Sequence, residues 1–304
     1  MATKPQVHQE SAASRQLVRV AFELARSLGV SKVLIQADEL DDDEVVGEHR
    51  TTEQVIWLTR GPAHSLAARA PDDRVEAIPA TPLTRMSHVK VGLFLAVLKH
   101  HVGLEESALC LSGIGGSGQL DTLLITSPRR EFPWLREADL EQLRGVTATR
   151  EFAQILDIAL RFAAQGREGK PIGTIFVLGA LGQVSPFLRQ LILNPFEGHS
   201  PESRNIHNPD FLETLREFAA MDGAFVINHK GDVEFGGTYI DAPATEARLR
   251  EGLGARHAAA AAITAATPAV AVVVSESSGD VTVFHKGQAI LELEKPEVIV
   301  GPEG

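Results

Sequence analysis

Three short stretches of this chain carry residues that can do phosphate chemistry. Asp222 and Gly223 lead into the apolar run Ala224–Ile227. Arg256 and His257 follow Gly254 and Ala255 and open the alanine-rich run Ala258–Ala262. Ser275 and Glu276 close the apolar stretch Ala269–Val274. Each has two readings. A carboxylate at a helix-to-strand junction caps its own turn, or it binds a divalent ion and lowers the pKa of a nearby hydroxyl. Gly223 lets the backbone approach a ligand closely. An Arg-His pair opening a helix is a solvated cap, or it adds a guanidinium fork and an imidazole donor to amides that already attract anions. Ser275-Glu276 is a polar strand end, or a third member of the same cluster. Together the three describe a site for a metal ion and a phosphate chain.

Other groups compete for attention. Gly113-Ile114-Gly115-Gly116-Ser117-Gly118 has the spacing of a dinucleotide fingerprint and follows a strand. What comes next, Leu120–Thr126, reads as a strand, so no helix N-terminus is there to hold a pyrophosphate. A glycine-rich hairpin or loop is the better reading, and no Gly-Lys-Ser/Thr ends it. Met86, His88, Lys90, His100 and His101 lie on or near one helix without an acid at a partner position, which reads as solvated helix ends and not a metal site. Cys110 is the lone cysteine and lies in the apolar run Ala108–Leu111, so it reads as a small buried core residue. With no partner for a disulfide, a reducing compartment fits. A net charge of −11 argues against a general nucleic-acid binder, which needs a broad basic face, but leaves room for a nucleotide substrate. No apolar stretch reaches the ~18 residues that span a bilayer, and the polar start shows no signal-peptide core. Cytoplasmic placement is expected.

The elements that must position these groups follow from periodicity. At 304 residues, 44% hydrophobic and 23% charged, two globular domains are expected. Residues 1–14 read as a flexible tail and Arg15–Leu28 as a helix ended by Gly29. Lys32–Gln36, Gln54–Thr59 and Arg74–Ile78 read as strands, with Asp38–Glu44 an acidic loop. Met86–His101 is an amphipathic helix, and Ala108–Ser112 and Thr122–Thr126 are further strands. This alternation predicts a small α/β domain with a largely parallel sheet. Pro128, Pro133 and a charged stretch mark the boundary. Helices Trp134–Leu143 and Thr149–Ala164 and strand Thr174–Leu178 open the second half, and a helical or loop segment runs on to Leu193. Helix Pro209–Ala220 leads to strands Ala224–Asn228 and Val233–Tyr239, then to helices near Ala244–Glu251 and over Arg256–Thr267. Strands Ala269–Ser275, Val281–His285 and Ala289–Leu293 finish the chain. Lys230-Gly231-Asp232 and Ser278-Gly279-Asp280 are hairpin turns. The fold class is α/β in two domains, the second a mixed sheet flanked by helices.

At this point the residues support a resemblance. Asp222-Gly223-Ala224, Gly254-Ala255-Arg256-His257 and Val273-Val274-Ser275-Glu276 resemble the DGA, RHR and strand-end motifs of the diadenylate cyclases, the catalytic domain shared with the DNA-integrity scanning protein. Gly169–Thr174 and Asn194–His199 resemble the same domain, especially its archaeal-type members. The likeness covers about residues 148–294. Residues 15–130 look like the pyruvate-kinase C-terminal-like α/β domain that precedes the cyclase domain in those members. Residues 131–147 are then a linker and 295–304 a tail. No helix-hairpin-helix extension for DNA is evident.

The resemblance implies an enzyme, a nucleotidyltransferase that condenses two ATP into cyclic di-AMP with release of two pyrophosphates. It implies a Mg²⁺ or Mn²⁺ cofactor and a homo-oligomer with facing cyclase domains. Asp222, Arg256 and His257 are then catalytic, with Asp222 and Glu276 on the metal. Gly223, Ala224, Tyr239, Ile240, Gly254, Ala255, Arg256, His257 and Ser275 then border the nucleotide. Ala258 stands where the RHR motif ends in Arg, and Ala255 where members often carry Thr. These departures give a second reading, a sensor that binds ATP or cyclic di-AMP on the same fold with little or no turnover.

Overall fold

The computed structural model describes residues 4–61, 72–147, 149–166, 170–243 and 254–296, with side chains from residue 12 onward. The chain divides into two compact units, the first running to Glu141 and the second spanning Gln142–Pro296. The expected helix near Ala244–Glu251 lies outside the described residues. No helix among them is long and apolar enough to cross a membrane.

In the first unit, helix α1 (Lys4–Leu28) leads to strand β1 (Lys32–Gln36), helix α2 (Glu44–His49), and strands β2 (Gln54–Thr59) and β3 (Arg74–Ala77). Helix α3 (Arg85–Leu98) and strands β4 (Ala108–Ser112) and β5 (Thr122–Thr126) follow. The sheet order is β3-β2-β1-β4-β5. β3, β2, β1 and β4 are parallel, and β5 returns antiparallel as an edge. Val18, Ala21, Phe22 and Ala25 of α1 bury one face of this sheet with Val33, Ile35, Trp57 and Leu111. The inner strands β1, β2 and β4 are largely buried and read as near-continuous apolar runs, while the edge strand β3 does not.

Two expectations need correcting here. Residues 1–14 are not a tail throughout, because α1 begins at Lys4. Pro5 is tolerated in a first turn, and Ser14 is buried, its hydroxyl accepting from Leu120 N at 3.0 Å. Nor is Asp38–Glu44 a simple acidic loop. Ala37–Glu39 forms a 3₁₀ turn and Glu39 is fully buried. Cys110 is buried as expected, and burial pushes its thiol up to about 12.

The division between units falls inside helix α4 (Glu137–Thr147). The second unit continues with helix α5 (Arg150–Gln165) and strands β6 (Thr174–Leu178) and β7 (Leu188–Gln190). Helix α6 (Pro209–Phe218), strands β8 (Ala224–Ile227) and β9 (Val233–Ile240), helix α7 (Ala255–Ala266) and strands β10 (Val270–Val274), β11 (Val281–His285) and β12 (Gln288–Leu293) complete it. Its mixed seven-stranded sheet has the order β12-β11-β10-β6-β8-β9-β7. Only the β6–β8 pair is parallel. The segment before Leu193 thus holds a short edge strand, β7, which three residues with no apolar alternation do not announce.

Alternation along the central strands sorts the two faces. Ile175, Val177, Ala224, Val226, Ala271 and Val273 pack against Ala260, Ala261 and Ile263 of α7. On the other face Phe176 stacks on Phe225 at 5.5 Å between ring centroids, and Phe162 of α5 lies 5.9 Å from Phe176. Alanines on α7 let the helix lie close to the sheet, so its first turn is held tightly at one sheet end. α5 is set by an N-cap, the Thr149 side chain accepting from Phe152 N.

Candidate active site

Strand direction assembles the site. β6 and β8 are parallel, so both begin at the same end of the sheet, and antiparallel β10 finishes there. The register pairs Thr174 with Val274, and Ile175 with Ala224. Gly173, one step ahead of β6, and Asp222, two steps ahead of β8, therefore come level with Ser275. The N-terminus of α7 lies over the same end. Residues separated by more than 50 positions in sequence are thus brought to one edge by ladder geometry alone.

Arg256 is the centre of the cluster. Its Nη1 donates to Glu276 Oε2 at 2.8 Å, and its Nη2 to Asp222 Oδ1 at 3.4 Å. The carboxylates face solvent, with side chains 91% exposed for Asp222 and 67% for Glu276, while Arg256 is 31% exposed. Asp222 owes its place to Gly223. That residue has φ +117°, and a Cβ there would lie 2.6 Å from Gly237 C and Thr238 N. Only glycine lets the lead-in to β8 lie flat against β9. α6 ends at Phe218 and Met221 N bonds Phe218 O at 3.0 Å, which sets the turn that presents the aspartate.

Gly254 is the N-cap of α7 and contributes no side-chain cap. The first amides of such a helix are the groups that attract anions. Ala255 and Ala258 are exposed on this turn. His257 is not presented to solvent in the same way. It is only 6% exposed, and its ring meets Phe284 edge-on at 6.0 Å. Burial pulls its pKa below the usual histidine value, opposed by Glu292 and Asp280. Ser275 caps the β10–β11 turn, its Oγ accepting from Ser278 N at 3.3 Å. Ala224 and Ile240 are buried strand residues, whereas Tyr239 is 45% exposed with the Arg189 guanidinium 4.9 Å from its ring centre. Sequence reasoning gave Gly173 no role, although a Cβ there would strike Arg256 and Glu276. Its signals were its place in the Gly169–Thr174 stretch and a glycine standing immediately before a buried strand.

The glycine-rich segment of the first unit is the β4–β5 hairpin loop, as expected. Its amides are already taken. Gly116 N and Gly118 N donate to Glu39 at 2.6 and 2.7 Å, and Gly113 N donates to Gln36 Oε1 at 3.0 Å. Arg60 Nη2 completes the shell around Glu39 at 2.6 Å. Positive φ at Gly116 and Gly118 turns both amides inward, a nest that in other proteins holds a phosphate. Here a carboxylate of the chain itself fills it. The histidines in and just after α3 diverge and are not all solvated. His88 is fully buried, and burial and then Arg60 push it down to about 4. His101 instead pairs with Glu76 Oε1 at 3.1 Å.

Asp222 and Glu276, joined through Arg256, offer carboxylate oxygens of the kind that suit a hard divalent ion. Among the described residues no three His, Cys, Asp or Glu side chains group as a metal cage.

Comparison with known proteins finds a likeness in this unit. Residues 161–289 match the family of the DisA bacterial checkpoint controller nucleotide-binding domain. A diadenylate cyclase of Methanocaldococcus jannaschii is 34% identical over 177 residues, 58% of this chain and 56% of that protein. A diadenylate cyclase of Haloferax volcanii is 37% identical over 140 residues, 46% of this chain and 51% of that protein. The chain thus spans about half the length of the curated relatives it matches. A solved structure of a hypothetical membrane-spanning protein from Bacillus cereus aligns with TM-score 0.37 and 16% identity, covering 52% of this chain and 72% of that one. The stretch 161–289, which matches that family model, carries Asp222, Arg256 and Glu276, and the relatives it resembles are diadenylate cyclases.

Proposed function

We propose that this protein condenses two ATP into cyclic di-AMP and two pyrophosphates. The observation that carries the reading is the convergence of Asp222, Arg256 and Glu276 at one sheet end, inside the stretch that matches the family. In each half-reaction a 3′-oxygen forms a bond to the α-phosphorus of the other ATP. The bond from that phosphorus to the pyrophosphate breaks, and the 3′-hydroxyl gives up its proton. Catalysis of this kind is mainly positioning and charge neutralisation.

Asp222, exposed and anionic, is assigned to activating the 3′-hydroxyl. Arg256 trades a carboxylate for phosphate oxygens when the nucleotide arrives, as a guanidinium fork does well. The amides of the first turn of α7, beside Gly254 and Ala255, take a further phosphate oxygen, and Ser275 another. Gly223 and the Tyr239-Ile240 backbone border the adenine or ribose. His257 enters as the anchor of this turn, since its ring is packed on Phe284. Asp222 and Glu276 would hold Mg²⁺ or Mn²⁺, which when bound supplies triphosphate charge neutralisation and a lowered hydroxyl pKa. One site holds one ATP, so two copies must face each other. A two-fold axis makes both attacks equivalent.

The first unit is carried as the pyruvate-kinase C-terminal-like domain over 15–130. Its parallel sheet with helices supports that likeness, and setting the oligomer or binding an effector is its proposed task. Cytoplasmic placement rests on the lone buried Cys110.

A second reading has one observation in its favour. Ala258 is exposed on the first turn of α7 and offers the phosphates nothing. A site with one cation fewer suits a sensor that binds ATP or cyclic di-AMP without turnover. Incubating the protein with ATP and Mn²⁺ and measuring nucleotide and pyrophosphate separates the two. Product with pyrophosphate release supports the enzyme, and saturable binding without release supports the sensor.

A further inference from the structure

We infer that Gly173 is a positioning residue of the site, the bare spot on which Arg256 and Glu276 are held together. This rests on the reading of the cluster as a nucleotide and metal site. The ladder brings Gly173 level with Asp222 on one side and with Ser275 on the other. A Cβ at this position would lie 2.6 Å from Glu276 Cβ, 2.8 Å from Arg256 Nη1 and 3.1 Å from Arg256 Cζ. Distances below about 3 Å are overlaps, so something must move. The Arg256 head is the flexible partner, and Glu276 Cβ is tied to backbone. A methyl group at 173 therefore forces the Glu276 strand end to shift and drives the guanidinium off its seat between the two carboxylates.

Backbone strain does not explain this glycine. Its φ lies outside the left-handed region, unlike that of Gly223, so alanine is conformationally allowed. Glycine-to-alanine changes at such positions usually stabilise slightly by restricting the unfolded chain. What glycine supplies at 173 is space, and the space is filled by the one guanidinium that touches both carboxylates. A shifted Arg256 meets phosphate oxygens in the wrong place and leaves Asp222 and Glu276 without the cation that spaces them.

The test has a readout that turnover does not touch. In wild-type protein the Arg256 guanidinium should give NMR signals protected from solvent exchange, assigned by their loss in Arg256→Lys. Their absence overturns the inference before any variant at 173 is made. Gly173→Ala should abolish that protection and weaken ATP binding in the presence of Mn²⁺ about tenfold by calorimetry. In an Arg256→Lys background the same change should cost less than about twofold, the non-additivity expected of groups in contact. Unchanged Arg256 signals in Gly173→Ala, or equal losses in both backgrounds, overturn the inference. Wild-type protein that makes no cyclic di-AMP, yet loses Arg256 protection on Gly173→Ala, overturns the enzyme reading and leaves the seat standing. Gly182→Ala, which meets nothing within 4 Å, is the control and should change neither signal.

Discussion

Each unit of this chain sets an arginine beside two carboxylates, and the two clusters are built for opposite ends. In the first unit Arg60 reaches Glu39 at 2.6 Å and Asp38 at 3.5 Å. Glu39 is fully buried and takes two loop amides, and Asp38 takes Arg60 N at 2.7 Å and the Thr59 hydroxyl at 3.1 Å. In the second unit Arg256 reaches Glu276 and Asp222, and both carboxylates stand in water. The residue types are the same. What differs is whether the chain itself supplies the remaining hydrogen bonds. A buried carboxylate satisfied by amides pins a loop, while an exposed pair satisfied only by one arginine is free to exchange it for a ligand.

The sharpest way to break this contrast is to remove Glu39. Glu39→Ala leaves two inward amides unpaired and Arg60 with Asp38 alone, so the first unit should lose about 3–5 kcal/mol of stability. Trp57 and Trp134 both belong to that unit, so tryptophan fluorescence during denaturant unfolding reads it selectively. An unchanged midpoint would show that the buried cluster holds nothing.

The mirror experiment is at Asp222. Asp222→Asn should leave unfolding within about 0.5 kcal/mol of wild type. It should lower product formation by about 10²–10³-fold, the scale of losing one preorganised electrostatic group. A large stability loss instead would make the two clusters alike.

A third effect belongs to the buried side of the comparison. His88 titrates near 4 when folded and at the ordinary value of 6.5 when unfolded. Between those values the unfolded chain binds a proton that the folded unit refuses. Stability of the first unit is thus full above about pH 6.5 and falls as pH drops toward 4, by on the order of 3 kcal/mol. His88→Gln should flatten most of that slope in the same fluorescence assay. The lowered pKa values of His101, His207 and His257 act in the same direction.

The smallest change sharpens the exposed side. Ala258→Arg restores a cation on the first turn of α7 and should tighten ATP a few-fold, the modest yield of a solvated ion pair. No tightening would mean the position faces away from the phosphates.

These contrasts also mark what the sequence could and could not reveal. Apolar periodicity outlined most strands and helices, and acid, cation and strand-end residues pointed to Asp222, Arg256 and Glu276. The joining of those three required the register of β6, β8 and β10, which no local pattern carries. Glu39 read as part of an acidic loop because burial of a charge depends on donors 77 and 79 residues away, at Gly116 and Gly118. His257 read as a phosphate donor, but which side of α7 meets the sheet is set by tertiary packing. α1 reaches back to Lys4 since a polar, proline-containing start can still be helical once its C-terminal portion is docked. Gly173 had no chemistry to read at all; its meaning is the volume it leaves empty.

The central claim is that the exposed cluster turns over ATP, and mass spectrometry of the product tests it most directly. Wild-type protein incubated with ATP and Mn²⁺ is expected to yield cyclic di-AMP with two pyrophosphates per product, and Asp222→Asn is expected to yield almost none. Cyclic di-AMP formed equally by both proteins, or by neither although wild type is folded and binds ATP, would contradict the account.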